Sequence, residues 1–191
     1  MFRLIEFRRL GSLFGTFETW IDETPKVPNL KAGDQCSTQI FPGKFVDKDR
    51  EGRKIIVEHR FPYHVSSYGL LGFEYLPATG NDCLEVNVFY QLPNEKKITL
   101  KKSQLMYDAK IGLLKEYTKS ILEESAKIIE SNNDIPAGKI NFLYAAHSPV
   151  CSSIMVYNSL VRILFELLRL NSNSIDDGTL TDIVKRHVLM R

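Results

Sequence analysis

KINFLYAAHSPVCSSIMVYNSLVRILFELLR, Lys139 to Arg169, decides how this chain is read. Its first seven residues, 139–145, are apolar and aromatic and short enough for a buried strand. AHSPVCSS follows as a loop, and an apolar run then continues to about Leu170. In that run Asn158, Arg162, Glu166 and Arg169 fall on one narrow stripe at helical spacing, so a helix there buries most of its circumference. Ser148 with Pro149 suits an N-cap and first helical position, and Ser152 or Ser153 suits a cap if the helix begins later.

Working outward, the spacing of Leu105, Ala109, Leu113, Tyr117, Ile121 and Ile128 predicts a helix capped by Ser103 and running to about Ser131. NNDIPAG ends it. Further upstream lie three strand-like runs: RKIIVEHRF (53–61), YGLLGFEYLP (68–77) and CLEVNVFYQL (83–92). The last alternates, with Leu84, Val86, Val88 and Tyr90 on one face. A turn at PNE (93–95) predicts KKITLKK (96–102) as its hairpin partner, and the flanking lysines suit an edge strand. Residues 2–10 fit either a strand or a short amphipathic helix. Residues 24–52 are rich in Pro, Gly, Asp and Lys and read as irregular. NSNSIDDG is a linker, and TLTDIVKRHVLM a short terminal helix.

The expected fold class is therefore α+β: an antiparallel-rich sheet of four to five strands with two main helices on one face. The expected organisation is an N-terminal extension over 1–53, a core domain over 54–170, and a linker with a short helix over 171–191.

Composition narrows the function. Of 191 residues, 43% are hydrophobic and 25% charged, as in ordinary globular chains. The net charge of +2 is too even to imply nucleic acid by itself. The three cysteines, Cys36, Cys83 and Cys151, are odd in number and form no CxxC, which argues for a reducing compartment. Charges interrupt the N-terminal apolar residues, and no run approaches membrane-spanning length. A cytoplasmic protein without membrane contact is expected.

Phosphate-binding glycine motifs are missing, so no nucleotide cofactor is expected. His59 and His64 would face opposite sides of a continuing strand, and acidic residues do not cluster with histidine, so no metal site is expected. Cys151 near a helix N-terminus, with His147 as base, is the one candidate nucleophilic pair. It lacks an orienting acid and a nucleophile elbow, and capping explains the same residues. KKITLKK places Lys96, Lys97, Lys101 and Lys102 close together. That is either a basic patch for phosphates or a solvated edge.

The quoted stretch resembles the end of domain IV in the translational GTPases, such as elongation factor G and the tetracycline ribosomal-protection proteins. There a strand leads into a tip loop of the form GSYHxVDSS, or one ending YSPV, and a helix opening with Met and an aromatic. This chain has Ser148-Pro149-Val150, Ser152-Ser153, Met155 and Tyr157. VEHRFPYHVSSYGLLGFEYLP (57–77) is similar to the family's opening strand, first tip loop and YGxVxxxxxP strand, through Tyr68, Gly69 and Pro77. The likeness covers about residues 54–170. The GTPase domain is absent, so nucleotide hydrolysis does not carry over. The glycine-rich GGRGQ of the first loop reads HVSS here. The Asp of VDSS is Cys151. Ser148 stands where the loop His would be, with His147 one place earlier.

The resemblance implies a domain-IV-like core and two tip loops that project together and enter ribosomal or other structured RNA. The binding residues would be Tyr63, His64, Ser66, Ser67, Tyr68, His147, Ser148, Pro149 and Val150, with an exposed His or Tyr free to stack on a base. The expected function is non-enzymatic binding of RNA in a ribosome-associated, translation-factor-like role. The alternatives are a protein-binding module of the immunity, antitoxin or assembly-factor kind, and a Cys-His hydrolase.

Overall fold

Nine strands and three helices build one α+β unit in the computed structural model, which describes all residues except 10–11, 26–30, 48–49, 62–66, 81, 92–98, 101–108, 171–174 and 190–191. The strands are β1 (Phe2–Arg9), β2 (Ser12–Ile21), β3 (Gln35–Phe41), β4 (Arg53–Phe61), β5 (Ser67–Pro77), β6 (Leu84–Tyr90), β7 (Thr99–Leu100), β8 (Ala109–Ile111) and β9 (Gly138–His147). The helices are α1 (Lys115–Ser131), α2 (Ile154–Arg169) and α3 (Asp177–Val184), the last running on into a π-helical turn at Lys185–Leu189.

Across the sheet the order is β1-β2-β4-β5-β9-β6-β3. Every pair is antiparallel except β6 with β9, which are joined through α1. Such a crossover is what a parallel pair demands. The sheet is thus larger than the four to five strands expected. Residues 1–53, expected as an extension, supply β1 and β2 on one side and β3 on the other.

β9 changes neighbours along its length. β6 pairs with it from Gly138 to Phe142, and β8 from Ala146 to His147. Ala32 fills the step between them. Its N–H donates 2.7 Å to the Leu143 carbonyl, and its own carbonyl accepts from Leu113 N–H at 2.8 Å. A buried backbone without such partners would be costly.

The strand alternation sends Ile55, Val57, Leu71, Phe73, Tyr75, Leu84, Val86, Val88, Ile140 and Phe142 to one face. α2 closes that face with ten buried residues, among them Leu160, Leu164, Phe165 and Leu168. Its polar positions lie on the outer stripe, as the spacing predicts. Ser153 is the N-cap, accepting from Val156 N–H, so the later of the two candidate starts is the one used. At the other end Arg53 donates to the Leu167 and Leu170 carbonyls, at 3.0 and 2.6 Å, and Arg50 to that of Leu168. Two cations thereby satisfy the orphan carbonyls of the last turn, where the helix dipole favours positive charge.

Two expectations are corrected. The first long helix starts at Lys115, not Ser103: Ala109 lies in β8, and Leu105 is outside the described residues. Gly112, at φ +112°, breaks the helical spacing just before α1, and a Cβ there would lie 2.1 Å from Gln91. Of KKITLKK only Thr99–Leu100 is described, and that part is not paired with the strand before it. β6 has β9 on one side and β3 on the other, and the described part of that segment, Thr99–Leu100, pairs with β8.

Candidate functional site at the loop end

β4 ends and β5 begins at the edge of the sheet where β9 runs into α2. The turn from Ser148 to Ser152 is tied down there. Ser148 Oγ accepts from Val150 N–H at 3.4 Å and from Cys151 N–H at 3.2 Å. Ser148 N–H donates 2.8 Å to Ser152 Oγ, and that hydroxyl donates 2.8 Å to the Tyr68 carbonyl. Tyr68 N–H returns the link by donating to the Cys151 carbonyl at 3.1 Å. The start of β5 and the 148–152 turn are therefore clasped at one end of the sheet.

Aromatic residues brace the clasp from below. Tyr157 Oη donates to the Ala146 carbonyl at 3.0 Å, Tyr117 Oη to that of Ser152 at 3.3 Å, and the two rings lie 4.5 Å apart. Burial pushes the Tyr157 hydroxyl far above its ordinary range, and takes Tyr117 to about 12, with Glu116 adding to the effect. Both therefore stay neutral donors. Gly69 lets the first turn of α2 settle onto β5, since a Cβ there would meet Val156 Cγ1 at 2.7 Å. His147 Nδ1 lies 2.9 Å from the Gly112 carbonyl, which only accepts, so this nitrogen carries the proton. His59 Nε2 is 2.6 Å from Ser67 Oγ.

The residues named from sequence separate into two groups. His147, Ser148 and Tyr68 are buried, at 1, 2 and 3% exposure, so the described His and Tyr are braces rather than surface stacking groups. Tyr68 Oη donates 3.1 Å to Glu58, and burial followed by the Glu58 charge pushes its hydroxyl well up. Pro149 and Val150 are exposed, Ser67 is half-buried, and Tyr63, His64 and Ser66 lie outside the described residues. So do Lys96, Lys97, Lys101 and Lys102. Cys151 packs in an apolar cluster with Trp20, Ile56, Leu70, Ile111 and Ala146, where a thiol behaves as a small hydrophobe.

Ile154 and Met155 were not among the residues expected to bind, although Met155 opens the helix in the resemblance. They stand 51 and 60% exposed beside Val150 at 78%, so the tip is an apolar cap on a pinned backbone. The signal was present: the expected polar stripe on α2 begins only at Asn158, which leaves the first turn with apolar side chains and no strand beneath all of them.

All three cysteines are free thiols. Among the described residues no group of three or more His, Cys, Asp or Glu sits together, and no helix is long and apolar enough to cross a membrane. No protein-family model, curated protein or solved structure matches the chain.

Proposed function

We propose that this is a non-catalytic binding protein that seats its loop end, Pro149 to Met155, in an apolar groove of a protein partner. The observation that carries this reading is the exposure of Pro149, Val150, Ile154 and Met155 within one seven-residue stretch, on a backbone held by the Ser148–Ser152–Tyr68 clasp. Burying one such aliphatic side chain contributes roughly 1.5–3 kcal/mol. A turn already fixed by Pro149 and three hydroxyl bonds loses little entropy on docking.

Structured RNA at the same end is the second reading. What supports it is the clasp that ties the first residues of β5 to the 148–152 turn at one end of the sheet. Pro149 and Val150 would then wedge against unpaired bases, with phosphate contacts supplied from other parts of the chain.

A photo-crosslinker placed at Val150, with one at Leu76 as control, tests both. Leu76 is 49% exposed near the opposite end of β5. Selective capture at Val150 that survives nuclease treatment supports the protein partner. Nuclease-sensitive capture supports RNA. Equal capture at the two positions, or none, sinks the loop-end reading.

A further inference from the structure

We propose that two copies of this chain associate through β3, edge to edge and antiparallel, about a twofold axis at Thr38. β3 is the last strand on its side of the sheet and, among the described residues, pairs with β6 alone. Cys36, Thr38 and Ile40 are exposed, Ile40 at 60%.

Sheet edges are ordinarily blunted by lysine, proline, bulges or a covering element. β1, at the other edge, follows that rule. It carries Arg3 and Glu6, has a register shift between Phe7 and Arg8, and is joined to α3 by the Arg3–Asp177 ion pair at 2.5 Å. β3 reads QCSTQIF, with no charge, no proline and a regular seven-residue register. An exposed edge of that length and neutrality is a template for another strand.

The sequence also matches itself. A twofold axis normal to the sheet keeps each residue on its own face, so residue 38 − n meets 38 + n of the second copy. Thr38 then faces Thr38, Cys36 faces Ile40, Ser37 faces Gln39, and Gln35 faces Phe41. A Thr–Thr pair and an apolar pair are both favourable across antiparallel strands, and no like charges meet. The backbone bonds close whichever way Thr38 points its own N–H. Either it bonds its counterpart, or Ser37 and Gln39 bond each other. On the inner side the Thr38 hydroxyl donates 2.6 Å to Asn87, whose amide donates to Glu85 and Asn141, so the edge is held in place from behind. A seven-residue pairing buries little area, which sets the association in the range of tens of micromolar, roughly.

Oxidative cross-linking reads the register. Opposed residues lie about 4.5–5.5 Å apart between Cα atoms, within disulfide reach. Thr38→Cys should give a covalent dimer, and Ile40→Cys should give one through the native Cys36 of the other copy. The native chain should not cross-link, because its two Cys36 residues are roughly 13 Å apart along the strands. Thr38→Lys sets like charges on the axis. At about 100 µM the native chain should sediment with a dimer fraction that Thr38→Lys abolishes, with unchanged far-UV circular dichroism. A native chain that is monomeric there, a dimer that survives Thr38→Lys, or cross-linking of the native chain through Cys36 would each overturn the proposal.

Discussion

The two faces of the sheet solve burial in different ways. Beneath α1 and α2 the inward residues of β4, β5, β6 and β9 are aliphatic or aromatic, and Phe73 sits edge-on to Phe142 at 5.4 Å with Phe165 of α2 6.1 Å away. On the opposite face a smaller apolar cluster, built on Trp20, Ile56, Leu70, Ala109 and Ile111, shares the layer with acidic and basic side chains. Glu58 has no exposed surface there. Arg60 contacts Glu18 and lies 3.7 Å from Glu58, which also accepts from Tyr68. Beside this network Tyr144 donates 2.5 Å to Glu74, and Lys54 lies 3.2 Å from the same carboxylate and over the Tyr144 ring. Burial alone would lower the Lys54 ammonium, but its bonds to Glu74 and Tyr144 outweigh that and hold it above its ordinary range. One face gains stability by area. The other must keep its charges matched to stay folded.

The comparison breaks most visibly on the apolar face. Phe165→Ala removes a fully buried ring wedged between α2 and the sheet. It should cost about 3–5 kcal/mol in urea unfolding, through lost transfer energy and the cavity left behind. A loss near 1 kcal/mol would mean that α2 moves in to fill the space, and that the face is less tightly packed than its contacts imply.

The polar face should respond to pairing rather than to volume. Arg60→Ala leaves Glu58 buried beside Glu18 without their shared cation, and should cost about 3 kcal/mol. Replacing Glu18, Glu58 and Arg60 together by Leu, Leu and Met should cost much less, because no ionised group is then left alone. If the triple variant proves less stable than Arg60→Ala, the network contributes net stability and the contrast between the faces fails.

That contrast also explains what could be read from sequence. β6 and α2 were legible because period 2 and period 3.6 sort their apolar residues onto one face, and β4, β5 and β9 because they are short apolar, β-branched or aromatic runs. β3 was not: Gln35, Ser37, Thr38 and Gln39 give no alternation, and its partner β6 lies far along the chain. The start of α1 was misplaced because Ala109 and Leu113 continue a helical spacing that Gly112 interrupts. Glu58 and Arg60 resemble solvent-facing strand positions, since alternation reports polarity and not what covers it. At the loop end only part of the site was legible. His147, Ser148 and Tyr68 carry the polar atoms that fasten the turn, and fastening buried them. Ile154 and Met155 were not expected to bind because exposed apolar residues in a helix read as core.

The smallest expected effect lies in the helix pair, where a buried carboxylate, Glu124, is held by two cations that themselves reach solvent. Arg162 Nε is 2.5 Å from Glu124, with Lys127 at 3.4 Å from the same carboxylate. Burial alone would raise Glu124, but the Arg162 bond and charge, helped by Lys127, bring its carboxyl below the ordinary 4.5. A depressed carboxyl contributes stability that is complete above the unfolded value and lost as pH falls through the folded one. Arg162→Ala should therefore cost at most about 1 kcal/mol at neutral pH, since Arg162 is partly solvated and Lys127 still pairs with Glu124. The gap between native and variant chains should close below about pH 4.5, as Glu124 takes up its proton in both. Glu166 and Glu85 are depressed by the bonds from His187 and Asn87, so the native chain should keep losing stability in acid even where that gap has closed. Urea midpoints for both chains across that range measure it. A gap that stays constant into acid would show that Arg162 acts by packing its alkyl stem on α1 and not through the charge of Glu124.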